Sequence, residues 1–202
     1  MNLSRKLPTD MTWGKKILHL NMAFDVILRV FDLHNDKLFE EDASKIELSL
    51  QMLVSNYRVV RRCDIHQKIN ILKYIFDNFI NVKSKPTKDK KKYMDYNQDA
   101  KYIYSSFMMD YGIDLFEQHG KLDWRKFVFL VNGLSEQTKL REIINIRGRV
   151  VPAATKYNSA EIKSIIEAKA YYALEFTDEE MTGQYQQGLS KLAGMLERLA
   201  GG

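Results

Sequence analysis

The spacing of apolar residues constrains this chain more than any other feature. From Met22 onward they recur three and four apart, block after block. Phe24, Ile27, Leu28 and Phe31 form one stripe, widened by Val30 and Leu33. Ile46, Leu50 and Leu53 form a second, with Leu48 and Met52 beside them. Ile69, Leu72, Ile75, Phe76, Phe79 and Ile80 form a third. A period of 3.6 places such residues on one helix face, whereas a half-buried strand needs strict alternation. The punctuation agrees. Three prolines and ten glycines in 202 residues favour long helices over many short strands. The first helix should stop near His34-Asn35-Asp36, with a connector over 38–41 before the second. Asp64 stands where an N-cap is needed for a helix reaching Asn81, and Asp123 does the same for Trp124, Phe127, Val128 and Val131, which Asn132-Gly133 stop. Ile103 and Phe107 mark a helix over 99–109 that Gly112 closes. Leu140, Ile143 and Ile144 give the face of a helix from Ser135 to Arg147. Asn158 to Glu161 has the spacing of a capping box and opens a helix to Leu174. Thr177 to Glu180 repeats that spacing and opens a last helix, to about Ala200.

One strand signal precedes these helices: Met11–Trp13 and Ile17–Leu20 around Gly14-Lys15-Lys16. The expected fold class is therefore mainly α. A single helical domain covers 1–176, with a small N-terminal β-hairpin over 11–20 and an exposed basic loop over 83–92. A C-terminal amphipathic helix over 177–202 follows. A hydrophobic fraction of 45% supports a real core, and an aromatic fraction of 11% excludes global disorder.

The charge is concentrated. Residues 83–92 hold six lysines and one aspartate, and this segment accounts for the whole formal net charge of +5. Pro86 blocks a helix there, and like charges extend the chain. The run reads first as a solvated loop. Lys88, Lys90, Lys91 and Lys92 are its candidate contacts for a polyanion, with Tyr93 and Tyr96 placed to stack on bases or, more simply, to anchor the next helix. Nucleic acid is the disfavoured partner, because recognition calls for a basic face with arginines spread along an element. No run of about 18 uncharged apolar residues is present, so no membrane span is expected. Met1 to Pro8 lacks the apolar stretch of a secretory signal. The single cysteine, Cys63, permits no internal disulfide and fits a reducing compartment.

Catalytic patterns are missing, and the expectation is a non-enzymatic chain with no catalytic residue, no cofactor and no metal. The four histidines, His19, His34, His66 and His119, do not pair at metal-ligand spacing; His66 and Cys63, three apart, are one incidental pair. There is no Gly-rich phosphate loop and no serine elbow. The acidic pairs Glu40-Glu41 and Glu179-Glu180 open helices, where the macrodipole explains them.

The candidate partner-binding site is the terminal helix. Tyr185, Leu192 and Leu199 recur every seven residues, Met181 and Met195 sit at the complementary positions with Gly188, and Leu189 and Leu196 widen the stripe. The stripe can pack on its own domain or on another chain. Flanks rich in Met, Gln and Gly suit an adaptable surface.

Several segments resemble a bacteriophage family known as gene product fifteen. Trp13-Gly14-Lys15-Lys16, Phe24-Asp25-Val26 and Ile46-Glu47-Leu48 resemble its start. Asp99 to Phe107 and Tyr111 to Leu115 are similar to its central signature. Leu122 to Phe127, through Asn132 to Lys139, is similar to its second, and Ile143 to Arg147 continues the likeness. The family often carries a tryptophan pair in the Leu-x-Trp motif; here Arg125 stands at the second. The likeness runs from about Pro8 to Leu174 and leaves out the last helix. It implies a protein of the tail-assembly gene block of siphophages and prophages of Gram-positive bacteria, acting in the host cytoplasm. Its gene order resembles that of tail assembly chaperones, made just before the tape-measure protein. The implied partners are the tape measure or other tail proteins, with a homo-oligomer also open. Rival readings are a tail or connector component kept in the virion, and a nucleic-acid binder using Lys83 to Lys92.

Overall fold

The computed structural model describes residues 3–36, 41–81, 92–153 and 155–175. Strands β1 (Asp10–Trp13) and β2 (Lys16–His19) form an antiparallel hairpin, with Met11 opposite Leu18 and Trp13 opposite Lys16. Gly14 turns it at φ +59. Seven α-helices follow among the described residues: α1 (Phe24–Asn35), α2 (Asp42–Leu53), α3 (Ile65–Ile75), α4 (Ala100–Tyr111), α5 (Trp124–Asn132), α6 (Lys139–Gly148) and α7 (Ser159–Tyr171). The chain is thus mainly helical with one small N-terminal hairpin.

The caps explain most boundaries. Asp64 accepts from the Gln67 backbone N–H at 2.8 Å while the Gln67 side chain reaches back to the Asp64 N–H, a complete capping box at the start of α3. Asp123 accepts from the Arg125 N–H and opens α5. Gly112, at φ +62, closes α4 in a conformation other residues resist. Three expectations need correction. The helix expected through Asn81 is α only to Ile75, and Phe76–Ile80 widens into a π turn in which the Asn81 N–H bonds the Phe76 carbonyl at 2.7 Å. α6 starts at Lys139 instead of Ser135, because the Ser135 N–H and hydroxyl are both held by Asp110, at 2.7 and 2.9 Å. The box at Asn158 does not form. The Asn158 side chain turns back, accepting from Thr155 N–H at 2.7 Å and donating to the Ala153 carbonyl at 2.9 Å, and α7 ends at Tyr171.

The chain packs as two compact units. The first comprises the described residues of Met1–Lys90 and Lys101–Arg141, the second those of Lys91–Ala100 and Glu142–Gly202. In the first, α1 packs on α2 and α5, and α2 on α3. Its core holds Leu18, Ile27, Val30, Leu50, Leu53, Ile71, Ile75, Phe107, Phe127 and Leu140, all fully buried. Phe127 lies between three rings, at 4.9 Å from Phe24, 5.4 Å from Phe107 and 5.7 Å from Trp124. Trp124 is 3% exposed and donates its indole N–H to the Ile80 carbonyl at 2.9 Å.

The second unit is organised by charge. Arg147, on α6, makes a two-pronged pair with Asp99 at 2.7 and 2.8 Å, and also donates to the carbonyls of Tyr93 and Tyr172. The Asp99 side chain is 1% exposed. Lys169, on α7, bonds the carbonyls of Arg147 and Arg149 at the C-terminal end of α6, where the macrodipole favours a cation.

Candidate functional site

Most of the signature segments turn out to be framework. Leu122-Asp123-Trp124 runs beside Met22-Ala23-Phe24: the Phe24 N–H bonds the Leu122 carbonyl at 2.9 Å, and the Trp124 N–H bonds the Met22 carbonyl at 2.7 Å. Arg125, the departure from the family motif, is buried. It folds back on the Asp123 carboxylate and donates to the Pro8 carbonyl at 2.9 Å, tying the N-terminal segment to α5. Tyr111 donates its hydroxyl to the Leu130 carbonyl at 2.9 Å, and burial beside Asp110 pushes the phenol pKa up. A Cβ on Gly133 would sit 3.2 Å from that hydroxyl and from the Phe129 carbonyl. Ser106, also buried, accepts from the Leu140 N–H and fixes the start of α6 against α4.

A groove of about 420 Å³ opens among α1, α2 and α3 in the first unit. Its apolar lining is Phe31, Ile46, Ile69, Leu72 and Phe76; His34, Asn35 and Lys73 are the polar members. Two features build it. The π turn begins at Phe76 and sets that ring 6.2 Å from Phe31 and 6.4 Å from His34. α3 carries two apolar faces: Ile71 and Ile75 enter the core, while Ile65, Ile69, Leu72 and Phe76 repeat at four, three and four along the other side. Ile65 and Ile69 remain 39% and 40% exposed. The expected core face of this helix therefore shifts, with Ile71 inside and Ile69 turned to the groove.

The groove carries little charge of its own. Burial, and then the nearby Lys45 ammonium, hold the His34 pKa below its ordinary value, against a smaller opposing pull from Asp42. The His34 ring is tied to the Ser49 hydroxyl at 3.0 Å. Lys73 is the single charged residue of the lining.

Of the two candidate sites expected from sequence, the structure describes one residue. The stripe Met181, Tyr185, Leu189, Leu192, Met195, Leu196 and Leu199 lies outside the described residues, as do Lys88, Lys90 and Lys91. Lys92 is described: its ammonium pairs with Asp95 at 2.8 Å. Burial pushes the Asp95 carboxyl up, but the Lys92 bond and the N–H groups of Gln98 and Asn97 outweigh it and hold its pKa below the ordinary value. Tyr96 is half-buried, with its phenol pushed up by burial. Cys63 is a half-buried free thiol. Among the described residues, no three His, Cys, Asp or Glu side chains gather as a metal site, and no helix is long and apolar enough to cross a membrane.

No curated protein and no solved structure matches the chain. One protein family does, over residues 3–174, which takes in every signature segment above and stops before the terminal stripe. With the match covering most of its length, the chain belongs to the Bacteriophage Gp15 protein family.

Proposed function

We propose that this phage protein is a non-enzymatic tail-assembly factor of the chaperone kind, which holds apolar helical segments of the tape-measure protein in the host cytoplasm until the tail tube encloses them. The groove on α3 carries the reading. A helix normally turns one apolar face inward and leaves its other side polar. α3 instead keeps a second stripe beside a concave surface, in which Ile65 and Ile69 stay exposed and Phe76 half-buried, with Leu72 buried between them. Such a surface suits helix-in-groove recognition, in which an amphipathic helix lays its apolar side into a trough. A long helical tape measure presents many such segments and aggregates when they stay uncovered. The apolar spacing from Met181 to Leu199 offers in the sequence a second stripe for the tape measure, another tail protein or another copy of the chain.

Co-expression with the tape-measure protein tests this. The tape measure should stay soluble and co-purify with the chain, and mass spectrometry of purified virions should find the tape measure without it. Recovery of the chain in stoichiometric amount from virions would make it a structural tail component instead.

A further inference from the structure

We infer that the α1–α3 groove selects an amphipathic helix whose apolar stripe is flanked by carboxylates, and that Lys73 reads the flank. This rests on the chaperone reading and names the site and the chemistry of the segment it holds. The first argument is shape. The lining residues Ile69, Leu72 and Phe76 run over about 10 Å, or two helical turns, and Ile65 carries the stripe one turn beyond the groove. The stripe's four-three-four spacing is that of a helix presenting knobs to a neighbour. Phe31 on α1 and Ile46 on α2 close the trough from the other side. The second argument is charge. No aspartate or glutamate lines the groove, and His34 is held toward its neutral form by burial. Lys73 is exposed and has no hydrogen-bond or ion-pair partner among the described residues. The other cations on these helices are engaged: Lys45 with the carbonyls of His34 and Asp36, Lys68 with Glu47, and Arg29 with Asp25. An ammonium on the edge of an apolar trough stabilises a carboxylate on the incoming helix and repels a cation there.

The test uses the full chain and two fluorescein-labelled synthetic helices of about 20 residues, long enough to hold helical structure. Both carry the same leucine stripe. One is flanked by glutamates, the other by lysines. The glutamate peptide should bind more tightly. Ile69→Asp, at a position already 40% exposed, should weaken its binding by about tenfold or more while leaving thermal unfolding nearly unchanged. Lys73→Glu should lower affinity for the glutamate peptide about two- to fivefold and raise it for the lysine peptide. Equal binding of the two peptides, or binding indifferent to Ile69→Asp, would overturn the assignment. So would concentration-dependent self-association abolished by Ile69→Asp, which would make a second copy the occupant. Tape-measure capture that survives Ile69→Asp would sink the groove and keep the function. Groove binding of the peptides without tape-measure capture would do the reverse.

Discussion

At the scale of single residues, buried polar groups set the vulnerable points. Arg147 and Asp99 form a pair with side chains 9% and 1% exposed. Removing one partner of such a pair strands the other charge, which costs about 3–5 kcal/mol. Asp99→Ala should therefore destabilise the chain by that amount in urea titrations, whereas Lys163→Ala, whose exposed contact with Glu167 is 3.8 Å long, should change stability by less than about 0.5 kcal/mol. Trp124→Ala should cost about 3–5 kcal/mol, since it empties a site shared with Phe31 and Phe127 and strands the Ile80 carbonyl. In a Trp13→Phe background, Trp124 should also emit as a buried indole. His34 gives a pH signature. Its folded pKa lies below the unfolded value, so the unfolded chain binds the proton more readily, and stability should fall as pH drops below about 6.5. His34→Gln should flatten melting temperature against pH between about 5 and 7 relative to the parent protein.

At the scale of elements, local chemistry was legible wherever the cap is made by the residue that looks like a cap. Asp64, Asp123 and Gly112 act as their spacing suggests. Gly112→Ala should cost about 1 kcal/mol through backbone strain alone, because a Cβ there meets nothing within 4 Å. Thermal melting with and without the substitution reads this directly. The same rules failed where a distant side chain competes. Asp110, twenty-five residues upstream, claims Ser135 and delays α6. Asn158 serves the loop before α7 in place of the helix. The π turn at Phe76–Ile80 leaves no mark in periodicity, since an apolar run reads alike in either helix. The groove was hidden for a related reason. With apolar residues on both sides of α3, the stripe Ile69–Leu72–Ile75–Phe76 looks like one core face, and only the packing of Ile71 and Ile75 shows which side is inside.

At the scale of the whole molecule, most of the family signatures do the work of framework, and only Ile46 among their residues lines the groove. Trp124, Arg125, Tyr111, Gly133 and Asp99 all hold one segment to another within their own unit, so likeness to the family in these segments reports the fold more than the contact surface. Of the groove's lining, Ile46 lies in a segment that carries the resemblance, while Phe31, Ile69 and Lys73 lie between such segments, all within the matched residues 3–174. The terminal stripe lies beyond the family match altogether. Leu192→Ser with Leu196→Ser should therefore leave thermal unfolding of the rest of the chain largely intact while removing any association that depends on that stripe; a large loss of stability would make it an ordinary core element. The most direct measurement of the central claim is the yield of soluble tape-measure protein co-purified from cells that also express this chain, parent against Ile69→Asp. The account predicts abundant soluble complex with the parent and a collapse of that yield with a variant that is itself well folded. Equal yields with both would contradict the groove as the binding site, and a tape measure equally soluble when expressed alone would contradict the chaperone function itself.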